Sequence, residues 1–169
     1  AIRVAVDLQG TQIEEVPLER YVLGVLSQEV PADWPSEALK AQAVASRSYA
    51  LYRKAHPRSD LFDVAADTSD QVFQLRRHTP ESYIRAVEET EGQTLTFNGQ
   101  PLPAFFHSCC GGLTEQAAQV WGNSNDREFV PFTKNIDDPF CDACPRYHWE
   151  LLIPTQELGP LLQENGFPT

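Results

Sequence analysis

Glu29 is the residue in this sequence whose surroundings most favour acid–base chemistry. It stands in "LERYVLGVLSQEVPADWP", where Leu18, Tyr21, Val22, Val25 and Leu26 recur at helical spacing. Leu26, Val25 and Val22 lie three, four and seven residues before Glu29, so the carboxylate continues their apolar face. A carboxylate on such a face loses water, which raises its pKa. Pro31 then ends the helix. Glu29 is thereby placed at the C-terminal end of the helix dipole, which disfavours an anion. Both effects favour the protonated carboxyl that a general acid requires near neutral pH. The competing reading is structural: an ion pair of Glu29 with Arg47 or Lys40, or a frayed end turned to water.

No second carboxylate stands out. A glycosidase ordinarily needs two at a fixed separation. Asp33 reads as an N-terminal helix residue, and Asp67 and Asp70 belong to a long polar loop. A mechanism with one carboxyl therefore has to be considered. Ser46 and Ser48 have no histidine near them in sequence, and His107-Ser108 lacks the nucleophile-elbow pattern. Trp34, Tyr49 and Trp121 could stack on sugar rings, with Gln42, Gln71 and Asn123 as hydroxyl contacts. Plain core packing is the alternative for each aromatic. Cys109, Cys110, Cys141 and Cys144 leave two alternatives open. Disulfides suit an exported protein. A zinc set could instead draw on His107, Cys110, Cys141 and Cys144, with His148 nearby, although a second CxxC is missing.

The elements that must position these residues follow from period and punctuation. "IRVAVDL" alternates as a half-buried strand, Gly10 marks a turn, and "TQIEEV" reads as the return strand. Pro17 precedes the Leu18 helix. Pro35 opens an alanine-rich helix over Ser36–Arg53 whose small side chains suit close approach. "HPRSDLFDVAADTSDQVFQL" has no clean period and reads as a long surface excursion. Thr79-Pro80 starts a helix carrying Tyr83, Ala86, Val87 and Thr90, and Gly92 closes it. "QTLTF", Asn98-Gly99 and "QPLPAFF" form a hairpin with a type I′ turn, Pro101 and Pro103 marking an edge. The Gly111-Gly112 pair lets backbone approach something closely. A final strand is expected from Tyr147, and a last helix in "TQELGPLLQENG". The fold class is α+β, with helices packed on a mostly antiparallel sheet in a single domain over residues 1–169.

Net charge is −11 over 169 residues. Residues 1–60 are nearly neutral at −1, and residues 61–169 carry −10. Nucleic acid as a partner is excluded, since it needs clustered cations. No run is long and apolar enough for a membrane span. A start at Ala1 with no methionine fits a trimmed, exported product, and "ENGFPT" is expected to run on into further chain.

At "LERYVLGVLSQEVPADWPSEALKAQAVASRSYALYRK" the sequence resembles the stage II sporulation protein D family. The likeness continues through "AADTSDQVF", "AVEETEGQTLTFNGQPLPAFFHSCCGGLTEQAAQVWG" and "VPFTKNIDDPFC", covering residues 12 to 150. The resemblance implies an extracytoplasmic bacterial protein of the cell envelope that acts on the glycan strands of peptidoglycan. The family includes lytic transglycosylases and relatives named for enhancing amidases, so an N-acetylmuramoyl-L-alanine amidase is an expected partner. The family's catalytic glutamate corresponds to Glu29, with Val30 where many members have methionine. Gln42, Arg47, Tyr49, Gln71, His107 and Ser108 are the expected substrate contacts. The resemblance also implies a disulfide between Cys110 and Cys141, the two cysteine positions many members share. No cofactor is expected, with zinc as the alternative because some members bind it through Cys and His.

Overall fold

The computed structural model describes residues 1–7, 11–121 and 131–166. Its contacts divide the chain into two compact units, Ala1–Phe106 and His107–Thr169. Leu8, Gly10 and Asn123 lie outside the described residues.

The first unit is α+β. Strand β1 (Ile2–Ala5) is the middle of a three-stranded sheet. It pairs antiparallel with β2 (Ile13–Val16), Ile2 opposite Val16, and parallel with β3 (Val64–Ala65), Val4 opposite Val64. The alternation of "IRVAV" therefore holds, except that Ala5 is buried too, as a central strand requires. Strand β3 corrects the reading of residues 56–75 as loop throughout. Arg3 helps fix it: its guanidinium and backbone N–H both bond the Asp63 carboxylate, at 2.6 to 3.1 Å.

Helix α1 (Leu18–Glu29) runs through the centre of the unit. Its two apolar edges serve two clusters. Tyr21 and Val25 pack with the sheet residues Ile2, Val4, Val16 and Val64. Val22 and Leu26 pack with Leu39 and Ala43 of α2 (Ser36–Ala55) and with Tyr83, Ala86 and Val87 of α3 (Glu81–Glu89). Burying each large side chain contributes about 1.5–3 kcal/mol. The alanines of α2 bring it close to α1, as expected: Ala43 and Ala50 are fully buried. Pro17, Pro35 and Pro80 each sit just before the helix rather than inside it. Their extended backbone and missing N–H suit the boundary. The hairpin of β4 (Thr96–Phe97) and β5 (Gln100–Pro101) has the expected turn. Asn98 and Gly99 both take positive φ, 51° and 76°.

The second unit holds α4 (Ala117–Trp121) and α5 (Thr155–Glu164), the latter the expected last helix. Residues 112–114 run beside 136–138. Thr114 N–H donates to the Ile136 carbonyl, and Asp138 N–H to the Gly112 carbonyl, each at 2.9 Å. The strand expected from Tyr147 does not form. Leu151 and Leu152 are exposed, so no sheet edge takes up that segment's backbone.

Candidate active site

Glu29 ends α1 and is half-buried. Burial pushes its carboxyl above the usual carboxylate range, and the Val72 N–H, donating to it, pulls back less strongly. Glu29 makes no ion pair among the described residues. Its two suggested partners are engaged elsewhere: Arg47 with Glu19, and Lys40 with Glu37 and Glu89. The structural reading of Glu29 as a salt-bridge residue is thus set aside.

Groups from outside the helix hold its end. Val30 N–H closes the last turn on the Leu26 carbonyl at 3.3 Å. Arg76 donates to the Ser27 carbonyl at 2.7 Å, supplying the cation that the last turn of α1 lacks. From α3, Tyr83 donates to the Val30 carbonyl and Ser82 to the Ala32 carbonyl. The chain that leaves Glu29 is therefore pinned on both sides of Pro31.

The segment Asp70–Phe73 covers the opposite flank of α1. Asp70 anchors it by accepting from Tyr49 Oη (2.7 Å), Arg53 Nε (3.1 Å) and Ala65 N–H (2.9 Å). Gln71 is buried. Its Oε1 accepts from Tyr21 Oη at 3.1 Å, and its Nε2 has no partner. Val72 reaches Glu29, and Phe73 stacks on Tyr21 with ring centroids 5.1 Å apart. A groove of roughly 530 Å³ runs past Val72, lined also by Gln28, Phe73, Leu75 and Glu14.

Three of the expected substrate contacts take structural roles instead. Arg47 is fully buried, its guanidinium spent on Glu19 (2.6–3.2 Å) and on the carbonyls of Gln93 and Val87. It ties α2 to the start of α1 and the end of α3, and its full burial keeps it from a sugar. Tyr49 is buried, with its hydroxyl on Asp70, and serves as core rather than a stacking platform. Gln71 faces Tyr21, inside the unit. Gln42 is half-buried, 3.4 Å from Ser46 Oγ. Ser48 is no nucleophile: it donates to the Val44 carbonyl and accepts from Leu95 N–H. Of the aromatic candidates Trp34 is open, 48% exposed, in a groove with Leu39, Lys40, Ser82, Arg85 and Glu89.

In the second unit His107 and Ser108 are exposed. The cysteines are thiols. Cys110 Sγ lies 3.3 Å from Cys141 Sγ, so the expected pair is adjacent without being bonded. Asp138, which no sequence pattern singled out, lies against both. The Cys109 thiol is hydrogen-bonded to that of Cys144.

The site is thus a helix of an α+β unit that ends on one half-buried carboxyl, without an ion pair among the described residues. Comparison with known proteins then places the chain. The profile described as stage II sporulation protein (SpoIID) matches residues 7–97, and the chain belongs to that family. It is 34% identical over 155 residues to stage II sporulation protein D of Bacillus subtilis, covering 80% of this chain and 42% of that protein. It is 34% identical over 138 residues to the amidase enhancer of Bacillus subtilis, covering 80% of this chain and 17% of that protein. An uncharacterized protein of Brachyspira hyodysenteriae is 37% identical over 132 residues, covering 78% of this chain and 34% of its own length. The chain thus spans less than half the length of these relatives.

Proposed function

We propose that this chain is an extracytoplasmic lytic transglycosylase. It would cleave MurNAc–GlcNAc linkages in peptidoglycan glycan strands already stripped of stem peptides, leaving 1,6-anhydroMurNAc ends. Protonated Glu29 gives its proton to the glycosidic oxygen as the bond to the MurNAc anomeric carbon breaks. The GlcNAc alcohol leaves. The C6 hydroxyl of the same MurNAc attacks that anomeric carbon, and its proton passes to the Glu29 carboxylate, restoring the acid. One carboxyl suffices because the nucleophile is tethered and acts at a high effective concentration.

The observation that carries the reading is the state of Glu29: half-buried, raised in pKa by burial, and free of any ion pair among the described residues. Of the candidate aromatics in the first unit, Trp34 is exposed and could stack on a sugar. The test incubates the wild type and Glu29→Gln, both checked for folding, with denuded strands. Anhydro ends from the wild type alone support the proposal. Equal product from both sinks the role of Glu29.

The amidase enhancer among the relatives favours a second reading, a glycan-binding module that stimulates a wall amidase. It expects strand binding without product, and stimulation of the amidase that Glu29→Gln leaves intact.

A further inference from the structure

The Val72 N–H that donates to Glu29 lies between two residues that converge on one side chain. Gln71, just before it, accepts from Tyr21 Oη at 3.1 Å. Phe73, just after it, stacks on the Tyr21 ring, with centroids 5.1 Å and planes 22° apart. Tyr21 is fully buried and stands about two turns upstream of Glu29 on the same helix. We propose that Tyr21, through its hydroxyl on Gln71, is the positioning residue that holds the Val72 N–H on the Glu29 carboxyl. The role rests on the reading of Glu29 as the acid of the site, but it is measurable without turnover.

Residues 71–73 alternate as an extended segment does. Gln71 and Phe73 are buried, and Val72 between them is half-buried. The two inward side chains therefore set where the Val72 backbone lies. Asp70, just before them, is moored to α2 through Tyr49 and Arg53, and to β3 through Ala65 N–H. Tyr21 supplies a polar tie to α1, the helix that carries Glu29. Donor and acceptor thereby share one frame.

The chemistry of Gln71 points the same way. It is 1% exposed, and its Nε2 has no partner among the described residues. A buried donor left unpaired costs stability, and a leucine would fill similar space without that cost. What leucine cannot do is accept from Tyr21 Oη. Such a tether matters at an acid, because a misplacement of an ångström can cost about a hundredfold in rate.

Tyr21→Phe isolates the hydroxyl. It keeps the ring on which Phe73 stacks. It also removes no charge: burial, with Asp70 nearby, holds the hydroxyl well above its usual range, so Tyr21 stays neutral while Glu29 titrates. The other charged and titratable groups around the helix end remain: Arg76 on the Ser27 carbonyl, Tyr83 on the Val30 carbonyl, and Glu14 on the wall of the groove past Val72. Behind the segment, Asp70 keeps Tyr49 and Arg53.

The test follows Glu29 and the Val72 amide by NMR across pH in the folded chain. In the wild type the Val72 amide resonance should move with the Glu29 titration. In Tyr21→Phe the Glu29 pKa should rise, and the Val72 amide should no longer track it. Tyr21→Phe/Gln71→Leu replaces the buried pair by apolar groups, so it should recover stability while the Glu29 pKa stays raised. Ile2→Val, in the same cluster, should lower the urea midpoint and leave both readouts unmoved. On denuded strands Tyr21→Phe should lower kcat at least about tenfold, with KM within about twofold. The proposal is overturned if Glu29 and the Val72 amide titrate in Tyr21→Phe as in the wild type. It is overturned equally if the double variant returns Glu29 to its wild-type titration, or if KM rises and kcat is kept. A wild type that yields no product but shows the expected NMR changes would count against the transglycosylase and for the tether.

Discussion

Gly24 lies in the middle of α1, where alanine normally stabilises a helix by about 1 kcal/mol. Here the sign should reverse. A β-carbon on Gly24 would stand 2.5 and 2.7 Å from two ring carbons of Phe73, and 3.3 Å from the Gln74 carbonyl oxygen. Carbons in contact sit about 3.5–4.0 Å apart, so the ring would have to retreat by roughly an ångström. It has little room to do so, being 9% exposed and stacked on Tyr21. Overpacking of this kind costs about 1–3 kcal/mol. Set against the helical gain, Gly24→Ala should lose about 1 kcal/mol net. Urea unfolding of Gly24→Ala, Phe73→Leu and the double variant checks this. Removing the ring should make the alanine neutral or stabilising, with a coupling of about 1–2 kcal/mol. A second readout links the packing to the site. Pushing Phe73 outward draws Val72 N–H from the Glu29 carboxylate, so the Glu29 pKa should rise further when followed by NMR. Full helix stabilisation by Gly24→Ala with no coupling to Phe73 would refute this account of how residues 70–73 are held on α1.

The sign of the Glu29 shift sets a dependence on pH. Its folded pKa is raised by burial, so between the unfolded and folded values the folded chain holds more proton. Stability attributable to Glu29 should therefore fall as pH rises through that window, and Glu29→Gln should lose this slope; identical slopes in urea unfolding would contradict it. Glu19→Gln should cost about 3 kcal/mol by leaving the buried Arg47 guanidinium without its counter-charge. Arg47→Met should cost less, because Glu19 is 31% exposed and can hydrate; the reverse order in unfolding free energies would show that Arg47 holds the fold through Gln93 and Val87 instead. Arg76→Gln should cost about 0.3–1 kcal/mol by removing the cation at the end of α1. It should leave the Glu29 titration in place, since Arg76 is not among the groups that shift it.

Much of the first unit was legible because local chemistry and tertiary need agree there. The stripe from Leu18 to Leu26 marks α1 since both of its edges are buried, and Asn98-Gly99 marks its turn since few residue pairs accept two positive φ values. Strand β3 was not legible. It is two residues long, sits among polar neighbours, and owes its state to pairing with β1, a contact some sixty residues away in sequence. The segment after Tyr147 fails for the opposite reason: it has strand-forming residues and pairs with no strand among the described residues. The half-buried position of Glu29 at the end of α1 could be read from phase alone. Arg47 could have been read the other way by the same means. It lies four residues after Ala43 and three before Ala50, on the face those alanines bury, where a guanidinium must find partners inside. Asp70 and Asp138 carry no such signal, because carboxylates in polar loops look alike until the fold brings their partners to them.

Phase and partners together explain why this carboxyl stays both desolvated and unpaired. An apolar stripe alone would bury Glu29 until a cation became necessary; a helix end alone would leave it in water. Here α1 stops at Glu29 itself. The following residues are fastened to α3 through Tyr83 and Ser82, so the end cannot fray outward. The cations considered as partners are committed elsewhere: Arg76 to a backbone carbonyl, Arg47 to Glu19 at the other end of α1, and Lys40 to Glu37 and Glu89. Among the described residues the Val72 backbone N–H donates to the carboxylate, and its effect is smaller than that of burial. Several charged residues are engaged in the structure, and this carboxyl is left partly desolvated, with its pKa raised by burial.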